Sequence, residues 1–279
     1  MQLIIESLFN GVAIGSVLLV AALGLAIVFG LMGVINLAHG ELMMLGAYST
    51  YVIQLLFKQL PVLQPFYDSY VIVSLGVAFV VSGVVGIFLE RSVISRLYGR
   101  PLETLLATWG VSLILQQFVR SVPLAYGTGL IMAILISMLF PIVLPDNCFV
   151  GARGKIIKVL TWFFSAFTGV LIGGALSSLI GKLGRASARN VDVTAPSWMR
   201  GSIDFLEITF PKTRLLIILI TVISFLSVSF FLKNSFWGIR IRAVTQNRSM
   251  SDCLGISTET VDVLTFGIGS GLAGVAGVA

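Results

Sequence analysis

The amino-acid sequence predicts an all-α polytopic membrane protein, and three observations carry that prediction. Hydrophobic residues make up 57% of the chain and charged ones 11%, whereas soluble domains carry about 25% charged residues. About eight apolar segments can be drawn, at 7–38, 42–57, 69–89, 104–119, 129–145, 159–180, 215–232 and 263–279. The net charge is +6, but the Lys and Arg lie between the apolar runs. They read as flanks facing headgroups and cytosol, not as a nucleic-acid surface.

No secretory signal is evident, because Met1 to Glu6 holds no basic residue and the first apolar run far exceeds a signal core. That run spans 32 uncharged residues from Ser7 to Ala38. As a helix it extends about 48 Å, against a hydrocarbon core ~30 Å thick. Glycines at 11, 15, 24, 30 and 33 punctuate it, so a break is expected before Asn36-Leu37-Ala38-His39-Gly40-Glu41. A short polar step between apolar runs is how transporters build irregular, ligand-facing backbone at depth. His39 and Glu41 are the only ionisable side chains between Glu6 and Lys58. Two readings stand: a polar constriction or hinge in a pathway, or an interfacial turn solvated by headgroups. Asn10 and Asn36 add amides at the two ends of the run.

Several later segments are shorter than the ~20 residues of a straight span, as broken or tilted helices around a pathway would be. In the fourth, Thr108, Ser112 and Gln116 recur every four residues and share a helical face, with Gln117 beside them. That face either lines a solute path or makes interhelical hydrogen bonds. With the start outside, loops 39–41, 90–103, 146–158 and 233–262 fall inside and hold ten Lys and Arg, against two in the short outside connections. The 181–214 loop adds six more outside, so charge alone does not set the orientation.

The 233–262 loop carries the second strong pattern. Ala243, Asn247, Met250 and Leu254 recur at steps of four, three and four, marking one face of a short helix over 243–254. Gly255 is placed to end it, and Arg240 and Arg242 stand at its entrance. The helix is either a docking element or a connector lying on the membrane surface. The final segment contains Gly269-Ser270-Gly271-Leu272-Ala273-Gly274, a G-x-G-x-x-G match that no strand precedes, so tight helix packing accounts for it better than a dinucleotide. Gly11/Gly15, Gly169/Gly173 and Gly267/Gly271 share the four-residue spacing that lets membrane helices approach. The last apolar run stops at Ala279 with no polar flank, which reads as a shortened chain.

Covalent chemistry has no visible seat. Cys148 and Cys253 fit neither a disulfide framework nor a zinc site. Gly151-Ala152-Arg153-Gly154-Lys155 lacks the Walker A spacing, so ATP-driven work needs another chain. No metal cluster or hydrolytic constellation stands out, and no cofactor is expected. Asn247-Arg248-Ser249 fits a glycosylation acceptor but lies in a loop placed inside.

Two stretches together resemble the permease subunits of ABC importers of the branched-chain amino acid/urea family. They are Leu31-Met32-Gly33-Val34-Ile35-Asn36-Leu37-Ala38-His39-Gly40-Glu41 and the coupling-loop sequence Arg242-Ala243-Val244-Thr245-Gln246-Asn247-Arg248-Ser249-Met250-Ser251-Asp252-Cys253-Leu254-Gly255-Ile256. That loop, with Asn190-Val191-Asp192-Val193-Thr194-Ala195-Pro196-Ser197-Trp198, is more similar to the family's urea permeases than to its amino acid permeases. The resemblance covers roughly 1–128 and 187–279, and 129–186 reads as an insertion.

The resemblance implies a single permease domain in the bacterial inner membrane, with 233–262 cytoplasmic. It implies a second permease subunit, cytoplasmic ATPase subunits, an external solute-binding protein, surrounding lipid and no nucleic acid. Urea is the expected solute, since a path of amides, hydroxyls and carbonyls suits a neutral molecule. The alternatives are a branched-chain amino acid or amide permease of the same family, a self-contained small-solute channel, and a membrane scaffold without transport.

Overall fold

A computed structural model describes residues 2–59, 64–121, 193–205 and 208–279. The segments expected at 129–145 and 159–180, the loop at 146–158, Cys148, the Gly169/Gly173 pair and the insertion lie outside the described residues. The other six segments are all helical. α1 is Gln2–Met32, α2 His39–Gln59, α3 Tyr70–Ser92 and α4 Pro101–Ser121. α5 is Lys212–Asn234, and α8, the last, is Thr258–Val278. Between α5 and α8 lie two short helices, α6 at Phe236–Gln246 and α7 at Arg248–Cys253. Among the described residues, five helical stretches are long and apolar enough to cross a membrane: α1, the 64–96 stretch around α3, α4, α5 and α8.

The expected break is present. α1 stops at Met32 because Gly33 adopts φ +67, a left-handed conformation that ends helices and suits glycine. The chain then folds back. The imidazole at the start of α2 lies 3.0 Å from the carbonyl of Ala21, which is eleven residues before the end of α1. α2 therefore begins about 16 Å back along α1, inside the bundle. Residues 33–38 are the irregular backbone that bridges the two helices.

α8 is the central helix. It packs against α1, α2 and α3, and 72% of its apolar window is buried, against 11% for the peripheral α5. Small residues permit the approach: a Cβ on Gly24 would stand 2.6 Å from the Gly269 carbonyl, and one on Gly274 2.5 Å from that of Ala78. Gly269, Gly271 and Gly274 all serve such contacts, so the G-x-G-x-x-G pattern is a packing surface. Gly267 and Gly271 do meet α3 side chains, whereas Gly11 and Gly15 face open space and are not a packing pair among the described residues.

One end of the bundle is stapled by polar contacts. Gln54 of α2, 1% exposed, donates from Nε2 to the Thr194 carbonyl (2.9 Å) and lies 2.8 Å from its hydroxyl. Tyr70 donates to the same carbonyl at 2.7 Å, and Asp68 accepts from the backbone and hydroxyl of Ser197. An antiparallel hairpin, β1 Ser202–Phe205 and β2 Ile208–Pro211, adds the one exception to an all-α chain among the described residues. Phe210 stands edge-on to Phe9 of α1 at 4.9 Å. Residues 193–211 thus lie at the opposite end of α5 from the 235–257 loop.

Candidate functional site: the α1–α2 break and the docking loop

The break draws together most of the polar residues singled out in the sequence. Asn36 folds over the start of α2, its Oδ1 accepting from the Ala38 N–H at 3.0 Å. The Leu37 N–H, which has no helical partner, donates to the Thr108 hydroxyl at 3.2 Å. Four residues on, Ser112 donates to Glu41 Oε1 at 3.0 Å, and Gln116 Nε2 donates to the same oxygen at 2.6 Å. The face of α4 spaced every four residues is therefore laid along the break.

A carbonyl only accepts, so His39 Nε2 carries the proton that bonds Ala21. That leaves His39 Nδ1 an acceptor and Asn36 Nδ2 a donor, both buried and without a hydrogen-bond partner. Buried polar atoms are seldom left so. Beside them the N–H groups of His39 and Gly40 open α2 at the positive end of its helix dipole, while that of Glu41 already bonds the Ala38 carbonyl at 3.1 Å. Gly40, at that end, is exposed. The junction thus offers donors, an acceptor and one carboxylate between α1, α2 and α4. The cleft between Asn36, Leu89 and Thr108 is too tight for a water molecule, so the break is closed toward α3. Asn10 does not join this group: it is half-buried eleven residues before Ala21, about 16 Å further along α1. A groove of about 350 Å³ between α3 and α8, lined by Phe79, Gly83, Ile87, Trp237, Leu264 and Gly267, offers a solute almost no polar atom.

The 235–257 loop departs from the single helix expected over 243–254. Asn247 adopts extended backbone, φ −155 and ψ 101, and divides it into α6 and α7. Its side chain takes the N–H of Met250 at 3.1 Å and the hydroxyl of Ser249 at 2.9 Å, capping the second helix instead of continuing the first. Ala243 is half-buried near the end of α6 and Asn247 is exposed at the cap, so the four residues do not form one stripe. Gly255 does end the element, at φ +79: its N–H bonds Asp252 and that of Ile256 bonds Ser251, a paired C-terminal cap.

α6 rests on the bundle through Ile241 and Val244, against Val261 and Leu31. Arg242 is exposed, and Arg240 lies over the rings of Phe236 (4.1 Å) and Trp237 (5.2 Å). Met250 on α7 and Leu254 at its C-cap are 59% and 74% exposed among the described residues, two large apolar side chains turned outward.

Sequence reasoning missed one cluster at this end. Arg248 pairs with Asp262 of α8, and its guanidinium lies 4.7 Å from the ring centroid of Tyr98. The Tyr98 hydroxyl donates toward Glu90 of α3 at 3.5 Å. Burial first, and the Asp262 and Glu90 carboxylates second, push the Tyr98 phenol above its ordinary range, so it stays a donor. The available signal was Asp262 itself, the carboxylate that stands directly before the last apolar run.

Comparison with known proteins agrees with this architecture. The family described as branched-chain amino acid transport system / permease component matches residues 7–122 and 105–279. The chain is 25% identical to the high-affinity branched-chain amino acid transport system permease protein LivH of Salmonella typhimurium over 277 residues, 98% of this chain and 69% of the relative. LivH of Escherichia coli K12 is 25% identical over 284 residues, and BraD of Pseudomonas aeruginosa 25% over 278, with the same shares of each chain. No solved structure matches. The urea permeases favoured by the loop wording are not among these relatives. A match that spans this helical chain almost end to end places it, a multi-pass transport subunit of the bacterial plasma membrane, in the branched-chain amino acid transport system permease family.

Proposed function

We propose that the chain is the membrane-spanning subunit of an ATP-driven importer of branched-chain amino acids. It works with a second permease subunit, cytoplasmic ATPase subunits on the 235–257 loop and an external solute-binding protein. The observation that carries the solute class is the start of α2. An amino acid is a zwitterion, and this junction sets a positive helix end beside a carboxylate, Glu41, within one turn. The solute carboxylate suits the Gly40 end and the ammonium suits Glu41. Exposed apolar side chains at the break, Ile35 and Leu37, suit a branched tail. The names of LivH and BraD support the same class.

Urea is the second reading. The wording of the coupling loop and of 190–198 favours it, as does a Glu41 already engaged by Ser112 and Gln116. Uptake of labelled valine and labelled urea separates the two, in cells producing this chain with its partner subunits. Valine uptake that needs the ATPase subunits and is not competed by urea is the expected result. Urea uptake indifferent to valine would replace the first reading by the second. Uptake by this chain without any ATPase would sink the importer.

A further inference from the structure

We propose that Arg248 is a positioning residue that fastens the cytoplasmic docking segment to the central helix, through its ion pair with Asp262 and its stacking on Tyr98. The inference rests on the importer reading.

Arg248 opens α7, the helix that presents Met250 and Leu254. α7 is rigid at both ends, capped by Asn247 before it and by the Gly255 turn after it, so Arg248 moves with the helix. The Arg248 side chain is 44% exposed, but its partner carboxylate on Asp262 is 4% exposed, set into the first turns of α8. Fully buried carboxylates are costly unless paired, so Asp262 holds the guanidinium where it is. The flat face of the same guanidinium covers Tyr98, whose hydroxyl reaches Glu90 on α3. One side chain thus grips α8 directly and α3 through one ring. Arginine suits this task where lysine does not, because only a planar fork bonds a carboxylate and stacks at once.

α8 leads from this grip to the break. Seven residues separate Asp262 from Gly269, two turns or about 10 Å along one face. Gly269 packs against Gly24, and a Cβ at Gly24 would also stand 3.0 Å from His39 Cε1. Movement of α7 under an ATPase subunit is therefore carried to α8, and α8 bears on the helix that seats His39. The packing is too close for α8 to slide without moving its neighbours.

The test uses the assembled importer in lipid vesicles, with R248Q, D262N and the exchanged pair R248D/D262R. R248Q and D262N are expected to keep the ATPase subunits and basal hydrolysis, while solute-stimulated hydrolysis and uptake fall at least ten-fold. The exchanged pair should recover at least a third of wild-type uptake. Unchanged stimulation and uptake in R248Q overturn the proposal. Release of the ATPase subunits from R248Q also overturns it, making Arg248 a docking residue. Should R248Q fail to accumulate, R248K, which keeps the charge without the planar fork, takes its place. A two- to five-fold loss of stimulation supports the proposal and wild-type coupling overturns it. A wild-type assembly with no ATP-dependent uptake defeats the importer reading itself, a result no Arg248 variant could mimic.

Discussion

Glu41 is the residue on which the break turns. Its Oε1 takes two donors from α4, so the carboxylate holds α2 and α4 together while keeping one oxygen for other work. Hydrogen bonds to a charged group contribute about 1.5–3 kcal/mol each. Glu41→Ala removes both and is expected to abolish uptake at normal protein levels. Glu41→Gln keeps the shape and an amide oxygen, and an intermediate rate is expected. Transport assays paired with membrane quantification check the order, and near-normal uptake in Glu41→Ala reduces the site to a plain turn. Asn36, His39 and Glu41 were legible in the sequence because an amide near the end of 32 uncharged residues, and two ionisable side chains just past it, stand out. Thr108, Ser112 and Gln116 were legible as a face, but not as partners of the break. Where α4 lies is a tertiary fact that spacing along one helix does not contain. Asn10 was legible as an amide at the far end of the same run, and the fold leaves it there, on α1 and away from the break that holds Asn36.

At the scale of elements, the docking loop shows where periodicity stops informing. Steps of four, three and four fit one helix, and they also fit two helices joined at a capping asparagine. The choice falls to a local competition, in which the Asn247 side chain takes the Met250 N–H that a continuing helix would have given to Gln246. Gly255, by contrast, was legible because a left-handed stop has few other candidates. The exposed pair on α7 gives a direct test. Met250→Asp changes a side chain that is 59% exposed in the isolated chain, so its folding should survive. Against an ATPase groove the same aspartate would be buried and unpaired, a cost of about 3–5 kcal/mol. Purified permease should then be stable and lack its ATPase subunits; full retention would show that α7 is not where they dock. The hairpin at 202–211 was not legible at all, since the antiparallel pairing joins residues that show no run of β-formers long enough to read.

At the scale of the molecule, α1, α2 and α3 share one dependence, because α8, which packs against all three, follows them far along the chain. Their existence was legible from hydropathy, but their order around α8 was not, because glycine contacts replace the apolar faces that would have marked it. The fold-back at residues 33–38 sets a timetable on synthesis. While only the first three helices have left the ribosome, the Leu37 N–H has no Thr108 to meet and Gly24 has no Gly269 against it. An unpaired backbone group costs several kcal/mol in hydrocarbon, so α2 stays poorly seated until α4 and then α8 arrive. The nascent permease therefore cannot mature helix by helix in order of emergence. A chain stopped after Ser257 should be degraded several-fold faster than the 279-residue chain in pulse-chase labelling, and equal lifetimes would mean that the fold-back forms without its late partner. Membrane quality control then has a built-in checkpoint: a helix translated long after the first two decides whether they are kept.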